Sequence, residues 1–172
     1  MRVDGTDIDL PVVAPRDGDM TWYLSHDLWG DWSLSGTPFI DHRSSADGAH
    51  RLAYGHHLYD GGQFSDLQRA YQPEVFATLG DCHWITPRRG ETVLRPLCAM
   101  TVDMWYEPIQ TFDFPTTSAL NEWLAGLVRG SDTRADDADG LVRGSRSALT
   151  LVTCSSDLSH QRWRTLVVFV ET

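Results

Sequence analysis

Thr150-Leu151-Val152-Thr153-Cys154 closes one short apolar run, and Arg164-Thr165-Leu166-Val167-Val168-Phe169-Val170 opens the next, ten residues after the cysteine. Runs of this length, rich in Val, Leu and Thr, read as β-strands. A third short run, 51–54, leads into Tyr54-Gly55-His56-His57. A thiol, an imidazole and a guanidinium therefore each stand at a strand edge.

Outward from these three, further short runs separated by turn residues fall at 10–13, 37–41, 82–86 and 92–105, so the pattern predicts a mainly β domain. Arg88-Arg89-Gly90-Glu91 reads as the turn of a hairpin between the last two. Ser65 is placed to cap a helix through Tyr71, and Pro73 to start a second short turn. A clearer helix is predicted over 118–129. Leu120, Trp123, Leu124, Leu127 and Val128 recur there at helical spacing on one face, and Gly130 supplies the stop. The polar, acidic stretch 131–140 offers nothing to bury and reads as mobile surface. Gly126-Leu127-Val128-Arg129-Gly130-Ser131 recurs verbatim as Gly140-Leu141-Val142-Arg143-Gly144-Ser145. The first copy ends the predicted helix and the second leads towards a strand, so tertiary context is expected to override local preference.

At 172 residues the chain can bury a real core and reads by length as one domain. Apolar residues make up 41%, without a run approaching the ~20 residues of a membrane span and without a signal peptide at the start. A net charge of −10 argues against nucleic acid or anionic lipid as a partner. The chain begins inside what reads as its first strand, which raises the expectation of a preceding segment, an anchor among the options. Three cysteines suit a catalytic thiol plus an optional disulfide. The 88–91 turn sets Cys82 and Cys98 almost opposite each other, a cross-strand bridge that a one-residue register change would defeat.

Cys154 is the candidate nucleophile, because a thiolate attacks an amide carbonyl well once its surroundings favour ionisation. The polar Ser155-Ser156-Asp157 that follows is expected to expose it, and Cys82 and Cys98 lack such neighbours. His56 is the candidate acid/base, protonating a leaving amine and deprotonating an incoming one. Neighbouring residues at a strand end point to opposite sides, so one of His56 and His57 faces the thiol, and spacing alone does not choose. Arg164 is the candidate to hold a carbonyl oxygen and the charge that develops on it. Arg162 shares its face, but Arg164 directly opens the final run. Asp157 is an option for orienting His56; no Asn or Asp of the papain kind is evident behind the histidine.

These blocks resemble the class B sortases. That family carries a Tyr-Gly-His block followed by Asp-Gly and a Met/Gln-Phe pair, here Tyr54-Gly55-His56-His57-Leu58-Tyr59-Asp60-Gly61-Gly62-Gln63-Phe64. It also carries Thr-Leu-Ser-Thr-Cys, then Arg-Ile/Leu-Val-Val-Val ten residues on. Tyr23-Leu24 and Gly36-Thr37-Pro38-Phe39-Ile40-Asp41-His42-Arg43 look like the family's stretch before its histidine strand. The resemblance runs from about residue 4 to 170 and selects His56 over His57. It implies a closed β-barrel of about eight strands with a few peripheral helices, the 118–129 helix being the insertion between later strands that marks class B.

The resemblance also implies a cysteine transpeptidase. Cys154 would cleave a C-terminal, Asn-Pro-x-Thr-like sorting signal after its threonine and hold the acyl group as a thioester. An amine of a peptidoglycan cross-bridge or a pilin lysine would resolve it. The implied partners are signal-bearing surface or pilin proteins, with no cofactor or metal. The expected setting is the extracellular face of a Gram-positive-type membrane, as a monomer. By position in the family, Leu24, Tyr54 and Thr153 line the signal groove, although strand alternation argues for turning Thr153 inward. Val152 replaces the family's serine and puts the signal preference in question.

Four other readings stand beside this one. A metal module would draw on His56, His57, His160 and Cys154, but zinc-type and EF-hand spacings are missing. A glycan-binding β-domain would use Trp22, Trp29 and Trp32 as a platform. A papain-like hydrolase would be distinguished by failing to use an added amine. A catalytically silent relative is the fourth.

Overall fold

The computed structural model describes residues 1–15, 19, 21–154 and 162–172. Its strands are β1 (Arg2–Val3), β2 (Phe39–Ile40), β3 (His50–Tyr54), β4 (Cys82–Thr86), β5 (Gly90–Asp103), β6 (Thr133–Arg134), β7 (Ser147–Cys154) and β8 (Trp163–Glu171). The helices are α1 (Pro73–Phe76), α2 (Thr117–Gly130) and α3 (Ala138–Gly144). One curled sheet runs β1-β4-β5-β8-β7-β3-β2, with β6 added to β5. Among the described strands β3 and β7 are parallel and the other neighbours antiparallel.

The central strands read as unbroken apolar runs because both of their faces are buried. Leu149, Leu151, Val167 and Phe169 point into the curl, against Phe64, Leu67, Trp84 and Leu94. Ala148, Val152, Leu166, Val168 and Val170 point outward and are covered by Leu120, Leu124 and Leu127 of α2 and Leu141 of α3. Each fully buried Leu or Val side chain stabilises by roughly 1.5–3 kcal/mol relative to exposure. The α2 helix starts where Thr116 accepts the Ala119 N–H at 3.1 Å.

The mainly β fold with its late helix is as the sequence predicts, but closure is looser than a complete barrel. The two ends of the sheet meet through residues 8–13, held by isolated bridges, Arg2 to Asp9 and Val13 to Phe39. The expected 10–13 strand is reduced to that contact.

Three further expectations are corrected. The 131–140 stretch is built into the fold: β6 pairs with β5, and Ala138, Leu141 and Val142 of α3 are buried. Both copies of the repeated hexamer end helices. Ser131 and Ser145 cap them alike, their N–H groups donating to the carbonyls of Val128 and Val142. Local preference is thus honoured twice rather than overridden. Ser65 does not cap a helix. It opens a 3-10 turn, and its hydroxyl accepts from the Leu58 N–H at 2.8 Å.

Candidate active site

The site lies where β8, β7 and β3 stand side by side. Cys154, the last residue of β7, pairs across with Arg164 of β8. On the other flank Tyr54 of β3 pairs in parallel with Val152, and the Gly55 N–H continues the ladder to the Val152 carbonyl at 3.1 Å. The parallel pairing ends there, and His56 and Cys154 each follow two residues further along their chains. The strand that ends at Cys154 therefore has the arginine on one neighbouring strand and the histidine just beyond the end of the other.

Gly55 is required by close packing. A Cβ there would lie 2.5 Å from the Phe64 ring, so the turn carrying His56 can fold down onto Phe64 only with glycine before the histidine. The His56 ring is oriented by Nε2, which lies 3.0 Å from the Leu24 carbonyl oxygen. A carbonyl only accepts, so this contact is made by the tautomer with its proton on Nε2, which leaves Nδ1 without one in the neutral ring. His57 faces a separate surface cleft with Ser65 and Arg69. Burial, and then the Arg69 charge, hold its pKa below the usual histidine range.

A cleft of about 60 Å³ opens on the outer face, lined by Tyr54, Val102, Val152, Arg164 and Leu166 and walled by the 104–110 segment; Cys154 and His56 are not among its lining residues. Tyr54 is anchored below it: its hydroxyl donates to Asp41 at 3.2 Å. The buried Asp41 carboxylate also accepts two bonds from the Arg43 guanidinium, at 2.9 and 2.7 Å, and Arg43 reaches Gln110 of the cleft wall at 2.9 Å. Burial alone would raise the Asp41 pKa, but the Arg43 hydrogen bonds outweigh it and hold the carboxyl below the usual range. Burial, and then the Asp41 charge, raise the Tyr54 phenol. Asp41 and Arg43 stood in the sequence stretch resembling the family, but nothing in their spacing signalled this support of the groove.

The remaining candidates sort by geometry. Leu24 is exposed next to His56 and meets it through its backbone. Thr153 does not line the cleft: it is 2% exposed and points to the inner face, opposite Cys154. Arg162 is engaged elsewhere, its Nε donating to Asp103 at 2.6 Å. Arg164 donates to the Trp163 carbonyl at 3.0 Å and sits between Val102 of β5 and Cys154. The Cys82–Cys98 disulfide is overturned. The register pairs Cys82 with Leu94 and Cys98 with Val168, and both thiols are free. Burial pushes each up to about 12, which disqualifies them as nucleophiles at neutral pH. The Ser155-Ser156-Asp157 segment and His160 lie outside the described residues. Among the described residues no three His, Cys, Asp or Glu side chains gather as a metal site, and no helix is long and apolar enough to cross a membrane.

No family model and no curated protein matches this sequence. Solved structures do. Clostridium perfringens sortase B superposes with a TM-score of 0.82 at 23% identity, covering 99% of this chain and 91% of that one. A Staphylococcus aureus sortase B–substrate complex gives 0.80 at 22%, covering 99% and 78%. Sortase B from Listeria monocytogenes gives 0.78 at 18%, covering 98% and 90%. The fold of this chain is the fold of the sortase B structures.

Proposed function

We propose that this chain is a class B sortase-type cysteine transpeptidase, acting outside the membrane on signal-bearing surface or pilin proteins. What supports the reading is the order of the strands: β7, which ends at Cys154, lies between β8, which carries Arg164, and β3, which leads into His56. The Cys154 proton passes to His56 Nδ1, and the thiolate attacks the carbonyl carbon of the signal threonine. The carbonyl pair moves onto oxygen, where the Arg164 guanidinium offsets the new charge. Collapse breaks the peptide C–N bond, and His56 protonates the departing amine. A second amine, from a peptidoglycan cross-bridge or a pilin lysine, attacks the thioester, gives its proton to His56 and expels the thiolate. The Leu24 carbonyl does the orienting work that a carboxamide does in papain-like enzymes.

Incubation with fluorescent Asn-Pro-x-Thr-type peptides, with and without a short glycine peptide as amine, tests this. An amine-dependent ligation product is expected. Hydrolysis that ignores the amine would instead make the chain a papain-like hydrolase.

A second reading rests on the 84% exposed Trp29 and 68% exposed Trp32, which offer stacking faces to an envelope glycan. Sedimentation with insoluble peptidoglycan, lost in Trp29→Ala/Trp32→Ala, would support it.

A further inference from the structure

Gln63 is the one non-glycine residue with positive φ (+52°) among the described residues. Glycine takes this left-handed backbone more easily, and two glycines directly precede the glutamine. The glutamine side chain is fully engaged. Its Oε1 accepts the backbone N–H of His56 at 2.8 Å. Its Nε2 donates to the carbonyls of Ser35 and, at 3.2 Å, Gly36. One donor and two acceptors as partners admit a single orientation of the amide.

The 35–37 segment it grips is itself fastened to the segment carrying Leu24. The Thr37 N–H donates to the Tyr23 carbonyl at 2.8 Å. A Cβ on Gly36, whose φ is +58°, would lie 2.7 Å from the Leu24 carbonyl oxygen. The contacts therefore form a ring. The His56 backbone is held by Gln63, Gln63 by Ser35 and Gly36, these by the Tyr23–Leu24 backbone, and the Leu24 carbonyl returns to the His56 ring.

We propose that Gln63 is the positioning residue of His56, clamping its backbone to the segment that supplies the acceptor for its ring. The role rests on the reading of His56 as the acid/base, and it acts through His56 without touching substrate. Other bonds hold the turn when the amide is gone: the Phe64 N–H donates to the His56 carbonyl at 3.1 Å, and Ser65 ties down Leu58. The fold is therefore expected to survive the loss of the amide while the ring loses its fixed orientation.

The test is ¹⁵N NMR of the imidazole nitrogens in the wild type, Gln63→Met and Gln63→Gly, with His56 assigned by its disappearance in His56→Gln. The wild type is expected to show one neutral tautomer with Nε2 protonated. Both variants are expected to show His56 averaging between tautomers, with the other histidines unmoved. Kcat for peptide transfer should fall roughly ten- to a hundred-fold at unchanged KM, as for a displaced acid/base. Glycine relieves the left-handed backbone, so Gln63→Gly should melt no lower than Gln63→Met and carries the test if the methionine variant does not fold. A folded Gln63→Gly that keeps the wild-type His56 tautomer, or a wild type without a fixed one, overturns the proposal. A tautomer that loosens as expected in a protein without acyl transfer would support the clamp and refute the proposed chemistry instead.

Discussion

Strands β3, β7 and β8 present an arginine towards each end, and the two ends use it in opposite ways. At one end Arg51 is fully buried. Its Nε donates to the Ala148 carbonyl at 3.3 Å and its Nη2 to the Ser147 hydroxyl, which donates in turn to Glu171 at 2.6 Å. Arg89 closes the cluster with a 3.0 Å contact to Glu171. Burial draws the Arg51 guanidinium down to about 10 despite the Glu171 charge. At the other end Arg164 is half-buried, lines an open cleft and pairs across with a cysteine. The strands close over the first guanidinium and supply acceptors to its Nε and Nη2, although its Nη1 is buried without a partner among the described residues, whereas the second borders a cleft on the outer face. One residue type thus serves the fold at one end and, in the proposed reaction, the transition state at the other.

The comparison can be broken at either end. The largest effect is expected from Cys154→Ala, which should cut acyl transfer by a factor on the order of 10⁴–10⁶ while leaving the melting temperature close to wild type, because the residue is a half-buried strand terminus. Arg164→Ala should lower kcat by about 10²–10³-fold, as for loss of an oxyanion donor, again with small change in stability. Arg51→Ala should do the reverse. It opens a cavity beside Glu171 and is expected to cost about 3–5 kcal/mol of stability in denaturant titrations, with kcat of the folded fraction retained. If Arg51→Ala lowered kcat or Arg164→Ala unfolded the protein, the division between the two ends would fail.

A smaller, pH-dependent effect should appear away from both. His83 lies between Asp4 (3.1 Å) and Glu91 (2.7 Å), and the hydrogen bonds to Asp4 and then Glu91 raise its pKa. The stabilisation is fully present below the unfolded histidine value, about 6.5, and is lost as pH rises through the raised folded value. Asp4 is shifted down, chiefly by His83, so its share is lost as pH falls through that lowered value. Thermal melts of His83→Ala across pH 4 to 9 should show a flatter profile than wild type, with transfer activity unaltered.

How much of this was legible follows from what side chains can signal. The β7 and β8 runs announced themselves because both faces are buried, and α2 because Leu120, Leu124 and Leu127 keep helical spacing. The α3 helix was hidden by its acidic, glycine-containing neighbours, although Ala138, Leu141 and Val142 keep the same spacing on a shorter scale. Cys82 and Cys98 misled because the hairpin register sets Cys82 against Leu94, and a bulge between Pro96 and Cys98 shifts the second thiol again. Thr153 fell to strand alternation. The partner of the His56 ring was beyond reach, since a backbone carbonyl such as that of Leu24 leaves no mark in sequence.

The most direct measurement is the intact mass of the wild type and of Cys154→Ala after incubation with a panel of sorting-signal peptides. A mass increase equal to the acyl part ending at threonine, on the wild type alone and removed by an added amine, is the predicted result. An unmodified wild type with every peptide, or an adduct that persists in Cys154→Ala, would contradict acyl transfer through Cys154.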